Sequence, residues 1–255
     1  MCLITFAWKS HPRYKLVLVA NRDEFFTRPT APLFQWESGI YAGKDLKGGG
    51  TWMGIHPKGR FAALTNYRDL KNLKENPVSR GKLVSDFLED HSKPKSYMNS
   101  LRDKQDQFDG FNLLVGDQEE MWYLSNYGEK PIEVPKGIHG LSNSLINVPW
   151  KKVQESKLRL QEVMKQDEID LRDLFEVNMG REEEKLENLP ETGLPLEIEK
   201  AVSAAFIEPI NRYGTVGVSA LLWEKGSQKV QFREKQVLES GGFIERQVEF
   251  KTNGS

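Results

Sequence analysis

The chain contains one cysteine, Cys2, directly behind Met1. A lone thiol there has two readings. It is a small half-buried hydrophobe in an edge strand, the role free cysteines usually fill, or it is a nucleophile. Cysteine is small enough that removal of Met1 is expected, which leaves thiol and α-amine on the same residue. An α-amine titrates at about 7.7–8.0, so it can serve as general base for its own side chain without a distant histidine. Asn21-Arg22-Asp23-Glu24 then ends the second strand, after the apolar run VLVA. If the first two strands form a hairpin, the end of the second lies beside the start of the first. Arg22 or Asp23 would then sit near Cys2. An Asp there holds the α-ammonium and an Arg stabilises a thiolate. A solvated turn is the competing reading. Asn66 and Asn143 close the similar stretches ALTN and GLSN. Each is either a turn former or a neutral donor for a developing oxyanion.

Other residue types offer less. His11, His56, His91 and His139 are scattered without metal-ligand spacing, so no zinc-type cluster is expected. The lone Cys is weak grounds for haem iron ligation. Gly48-Gly49-Gly50-Thr51 lacks the following Lys-Ser/Thr of a phosphate loop and misses the GxGxxG spacing. It reads as a tight turn into TWMG that can line a pocket.

These groups need strands to position them. Residues 2–8 and 15–20 are rich in β-branched, aromatic and aliphatic side chains, with a turn between them. Residues 25–36, holding Pro29 and Pro32, read as a loop. Strands are expected at Thr51–His56 and Arg60–Asn66. Leu83, Val84, Phe87 and Leu88 share one helical face, and a second helix is expected over Lys95–Lys104. Strands return at Phe111–Gly116, Met121–Ser125 and Gly137–Ser142. Residues 149–206 read as helical segments broken by Pro190 and Pro195, and three antiparallel strands close the chain. Strands and helices come in runs, which favours α+β over a doubly wound parallel sheet. With no repeat or convincing linker, residues 1–255 are expected to form one domain.

The 36 Lys and Arg against 37 Asp and Glu give a net charge of −1. That balance provides no general attraction to nucleic acid or an anionic membrane. The start lacks a signal-peptide pattern, no apolar run approaches a membrane span, and a single Cys fits a reducing compartment. A cytoplasmic protein is the expectation, with its oligomeric state left open.

The stretches MC, ANRDEFFTRPT, GGTWMGIHPKGRFAALTN, GLSNS with PWKK, and RYGT together resemble the NRDE-motif family, from residue 1 to about 224. That family is similar to the N-terminal-nucleophile hydrolases, in layout to choloylglycine hydrolases and penicillin V acylases. The resemblance implies a four-layer αββα sandwich of mainly antiparallel sheets. It also implies a catalytic set of Cys2, Arg22, Asp23, Asn66 and Asn143; beside that set, Asn21, Phe25, Trp52 and Thr65 are expected to contact substrate. The acylases place Arg and Asp three apart on the second strand; here they are adjacent, and neighbours on a strand face opposite ways. Where related chains carry a basic residue in the YGTR stretch, this one has Val216. The implied activity is hydrolysis of a linear amide or acyl bond. The family's association with Golgi organisation, secretion, lipid metabolism and haem trafficking suggests the alternative of a non-catalytic carrier of haem or a lipid-like ligand.

Overall fold

The computed structural model describes residues 2–253. The apolar runs at the start become β1 (Cys2–Trp8) and β2 (Tyr14–Phe25), paired as an antiparallel hairpin. Seven strands follow: β3 (Thr30–Gln35), β4 (Tyr41–Asp45), β5 (Met53–His56), β6 (Arg60–Asn66), β7 (Phe111–Gly116), β8 (Met121–Ser125) and β9 (Ile132–Glu133). Between β6 and β7 lie α1 (Gly81–Glu89) and α2 (Pro94–Ser100). The chain continues through β10 (Gly137–Leu141), α3 (Lys151–Val163), α4 (Leu171–Glu176) and α5 (Leu196–Ala201). It ends in β11 (Tyr213–Glu224), β12 (Lys229–Val237) and β13 (Phe243–Lys251).

Among the described residues these strands make two antiparallel sheets. One runs β10-β1-β2-β11-β12-β13; the other keeps chain order from β3 to β9. Strand alternation explains the layering. Ile4, Phe6, Leu18 and Ala20 point inward against Phe61, Ala63 and Leu114 of the second sheet. Their neighbours Ala7, Val17 and Val19 point outward against Leu160, Leu174 and Phe175 of the α3 and α4 region. On the far side, Ala62 and Leu64 meet Leu83, Phe87 and Met98 of α1 and α2. The result is an αββα sandwich, the α+β architecture expected. The described helices include none long and apolar enough to cross a membrane.

Asn21–Glu24 ends the second strand and is not a turn, because β11 pairs along the whole length of β2. Three local expectations are corrected. Residues 25–36 are not all loop: β3 occupies Thr30–Gln35 as an edge strand. Pro32 falls in its register shift, where no ladder hydrogen bond is needed. The helix expected over Lys95–Lys104 ends at Ser100 and tightens into a 3₁₀ segment at Arg102–Gln107. Finally, β1 is flanked by β10 and β2, so Cys2 does not lie in an edge strand.

Candidate active site

Register places the chemistry. Cys2 pairs with Arg22 and Leu3 with Asn21. Paired residues share a face, so Arg22 stands beside Cys2 on the side facing the second sheet, in line with Ile4 and Ala20. Asn21 and Asp23 point the other way. The Asn21 amide donates to the backbone carbonyls of Asn178 (2.9 Å) and Ala205 (2.8 Å), an anchoring role rather than the substrate contact expected for it. Asp23 accepts from Thr215 Oγ1 at 2.7 Å, and its backbone N–H reaches back to the thiol.

Cys2, Arg22, Asp23, Trp52 and Asn66 line one cleft of about 710 Å³. Its rim is the Lys44–Gly48 turn, and Ser79, Arg80 and Gly81 at the start of α1 form another wall. The glycine turn is thus a cleft element. Gly49 takes φ +76°, and a Cβ on Gly50 would lie 2.4 Å from the Gly81 carbonyl carbon. Arg22 and Trp52 also border a smaller adjoining chamber of about 60 Å³, together with Phe25, Val216 and Glu234. Phe25 is half-exposed there, packed edge-on against Tyr213. Val216 sits at a break in the β2–β11 register and lines this chamber. Arg212 is turned to the surface, where it pairs with Glu239 at 3.0 Å.

Asn143 and Thr65 lie behind the cleft. The Asn143 amide donates to the Asn66 backbone carbonyl at 2.9 Å and so fixes the end of β6. Thr65 Oγ1 donates to the Ser142 carbonyl (2.5 Å) and accepts from the Asn112 amide (3.1 Å), which in turn accepts from Tyr123 Oη (2.7 Å). The Ser142 hydroxyl donates to the Cys2 carbonyl at 3.1 Å. These buried polar groups satisfy one another from one sheet to the other, and a satisfied network of this kind holds its members in one geometry.

Burial pushes the Cys2 thiol above its ordinary range, against the opposing pull of Arg22 and the Asp23 N–H. A neutral resting thiol therefore needs a base before it can attack. Burial likewise pushes the Asp23 carboxyl up, countered by the Lys152 and Arg68 cations and the Thr215 hydrogen bond. Lys152, buried at the start of α3, donates to the Val202 carbonyl at 2.8 Å, and burial together with Arg68 lowers it to about 8. Arg68 is ion-paired with Glu199. Reasoning from types and spacing passed over Arg68, Lys152 and Arg80. Arg68 lies two residues beyond ALTN and Lys152 inside PWKK, where a charged residue after a strand or at the mouth of a helix was the available signal. Arg80 carried none beyond its place before an amphipathic helix.

The sequence profile of Transport and Golgi organisation 2 matches residues 1–239. The chain is similar to the Transport and Golgi organization 2 homolog of Mus musculus, 33% identical over 234 residues that cover 86% of this chain and 83% of that one. It is also similar to the Homo sapiens homolog, 38% identical over 168 residues covering 60% of each. Among solved structures it is similar to the Caenorhabditis elegans ortholog of N-acylethanolamine-hydrolyzing acid amidase, with TM-score 0.49 and 10% identity over 87% of this chain and 92% of that one. A mutant conjugated bile acid hydrolase from Clostridium perfringens gives TM-score 0.48 and 10% identity over 100% and 98%. The matched stretch holds the hairpin that carries Cys2 and Arg22, the cleft walls and the strand behind them: the chain belongs to the Transport and Golgi organisation 2 family.

Proposed function

We propose that the chain is an N-terminal-nucleophile cysteine hydrolase acting on a linear amide or related acyl bond. The observation that carries this reading is the pairing of Cys2 with Arg22 on the face that opens into the cleft. Met1, whose removal the mechanism requires, lies outside the described residues. With Cys2 first in the chain, its α-amine takes the thiol proton, and Arg22 stabilises the thiolate. Sγ bonds to the carbonyl carbon, and Asn66, held by Asn143, donates to the oxyanion. Collapse breaks the C–N bond as the α-ammonium returns its proton to the leaving amine. Water, deprotonated by the α-amine, then hydrolyses the thioester and restores the thiol. The test is intact mass before and after an activated acyl ester or a thiol alkylator. One adduct per chain, absent in Cys2→Ala, is expected; a mature protein that retains Met1 overturns the mechanism.

A second reading, a non-catalytic carrier of haem or a lipid-like ligand, draws on the raised thiol pKa, which leaves Cys2 unreactive without a base. Haem fits this cleft poorly. Arginines are present for its carboxylates, but the apolar lining is confined to Trp52, Leu64, Pro77 and Val78. Haem titration of the wild type and Cys2→Ala separates the readings: saturable binding unaffected by the substitution, with an inert Cys2, favours the carrier.

A further inference from the structure

The cleft has an excess of unanswered positive charge next to the nucleophile. Its cations are Arg22, Arg28, Lys44, Lys47 and Arg80, and its acids are Asp23, Glu24, Asp45 and Asp109. Two of these acids stand beside Arg22 and Arg28, and the other two accept from neutral groups. Asp45 takes Arg28 at 2.6 Å. Asp23 faces the helices and accepts from Thr215. Glu24 accepts from the Phe25 N–H at 2.9 Å and lies 3.9 Å from both Arg22 and Arg28. Asp109 accepts from the Lys74 N–H at 3.0 Å.

Arg22 has Glu24 at 3.9 Å and Arg28 has Asp45 at 2.6 Å, which leaves Arg80 as the cleft arginine without an ion pair. One of its nitrogens, Nη1, donates to the Gly110 carbonyl at 2.8 Å. Among the described residues no carboxylate lies within 4.0 Å of its guanidinium. Burial lowers its pKa, against the pull of Asp109 and Glu24 and of Cys2 once that is a thiolate. A partly buried guanidinium with spare donors is stabilised by an anion that takes two of them at once. The backbone adds to this. Arg80 is also the residue that opens α1, no side chain caps that helix, and its first residues line the cleft. The Lys82 and Leu83 N–H groups are already taken by the Ser79 (3.2 Å) and Arg80 (3.0 Å) carbonyls, so the helix adds only the positive end of its dipole on that side.

We propose that Arg80 is a specificity-determining residue that selects acyl substrates bearing a carboxylate close to the scissile bond, with Arg22 as its partner across the cleft. This rests on the reading of Cys2 as a reactive nucleophile, and it assigns the substrate class that the nucleophile meets. The carboxylate lies against the Arg80 fork and the start of α1, and the carbonyl carbon then faces Cys2. Neutral amides of the same shape leave Arg80 without a counter-ion and are disfavoured.

Two alkylators of nearly equal size test this without requiring a known substrate. Iodoacetate carries a carboxylate and iodoacetamide does not. The ratio of their rates at Cys2, divided by the same ratio for N-acetylcysteine, reads the local preference for an anion. The wild type is expected to show a ratio raised roughly tenfold or more, falling as salt is added. Arg80→Gln is expected to return it to the free-thiol value and Arg80→Lys to restore part of it. A wild-type ratio equal to that of N-acetylcysteine, or one unmoved by Arg80→Gln, overturns the proposal. If Cys2 reacts with neither reagent, the nucleophile reading fails instead, and calorimetric titration of the Cys2→Ser protein with benzoate and benzamide decides anion selection. Benzoate is then expected to bind at least tenfold more tightly, and equal binding of the two removes Arg80's role.

Discussion

The two faces of the β2 end make opposite uses of the same four residues. Arg22 and Glu24 face the cleft, where they stand beside Cys2 and the arginine-rich wall. Asn21 and Asp23 face the helical layer, where Asn21 bridges two backbone carbonyls and Asp23 binds Thr215 near Lys152 and Arg68. One face lines the cleft and the other holds the helical layer onto the sheet. A run of adjacent polar residues on a strand is therefore two half-motifs, interleaved by the pleat.

Substitutions on each face should separate reactivity from stability. Asn21→Ala strands two buried carbonyls and is expected to cost roughly 2–4 kcal/mol in urea unfolding, while the molecules that remain folded still label at Cys2. Arg22→Gln should do the converse: alkylation of Cys2 slows roughly tenfold, with stability within about 0.5 kcal/mol of wild type. If both substitutions act on stability alone, the division between faces is wrong.

Lys152 sharpens the contrast through pH. Burial holds its folded-state pKa near 8, below the ordinary 10.5. Below pH 8 the folded protein carries a buried ammonium that the unfolded chain solvates. Between about 8 and 10.5 the unfolded state binds more protons than the folded one, so Lys152 makes stability rise with pH across that window. Urea midpoints of wild type and Lys152→Met at pH 7.5 and 10 check this; the slope should be smaller in the variant. The smallest effect is expected at Thr65→Val, which removes one member of the polar chain between the sheets at about 1 kcal/mol and should leave the rate of Cys2 labelling nearly intact.

Much of this arrangement was legible beforehand. Arg60–Asn66, Phe111–Gly116 and Met121–Ser125 follow from apolar, β-branched runs between turn residues, and the strands lie there. Prolines misled at β3, since an edge strand with a register break tolerates what a central one does not. Polarity left Asn21–Glu24 open between a strand end and a turn, because nothing local marks the distant strand, β11, that covers it. Cys2, Arg22 and Asn66 were accessible through position and motif. The bonds of Asn21 to residues 178 and 205 were not, because nothing local marks a partner more than 150 positions away. Arg80 escaped for a related reason: its meaning comes from the carboxylates it lacks, and only the assembled cleft reveals which acids are already engaged.

The contact between Gly50 and Gly81 has a kinetic consequence. With no side chain at either position, the glycine turn lies directly on the first residue of α1, and the Thr51 N–H donates to the Gly81 carbonyl at 3.3 Å. One edge of the doorway to Cys2 is thus fastened backbone to backbone. Along that edge a molecule arriving from solvent meets backbone held by backbone, and opening it further would cost the Thr51–Gly81 hydrogen bond, so the glycine turn is expected to contribute little to any gating of the cleft.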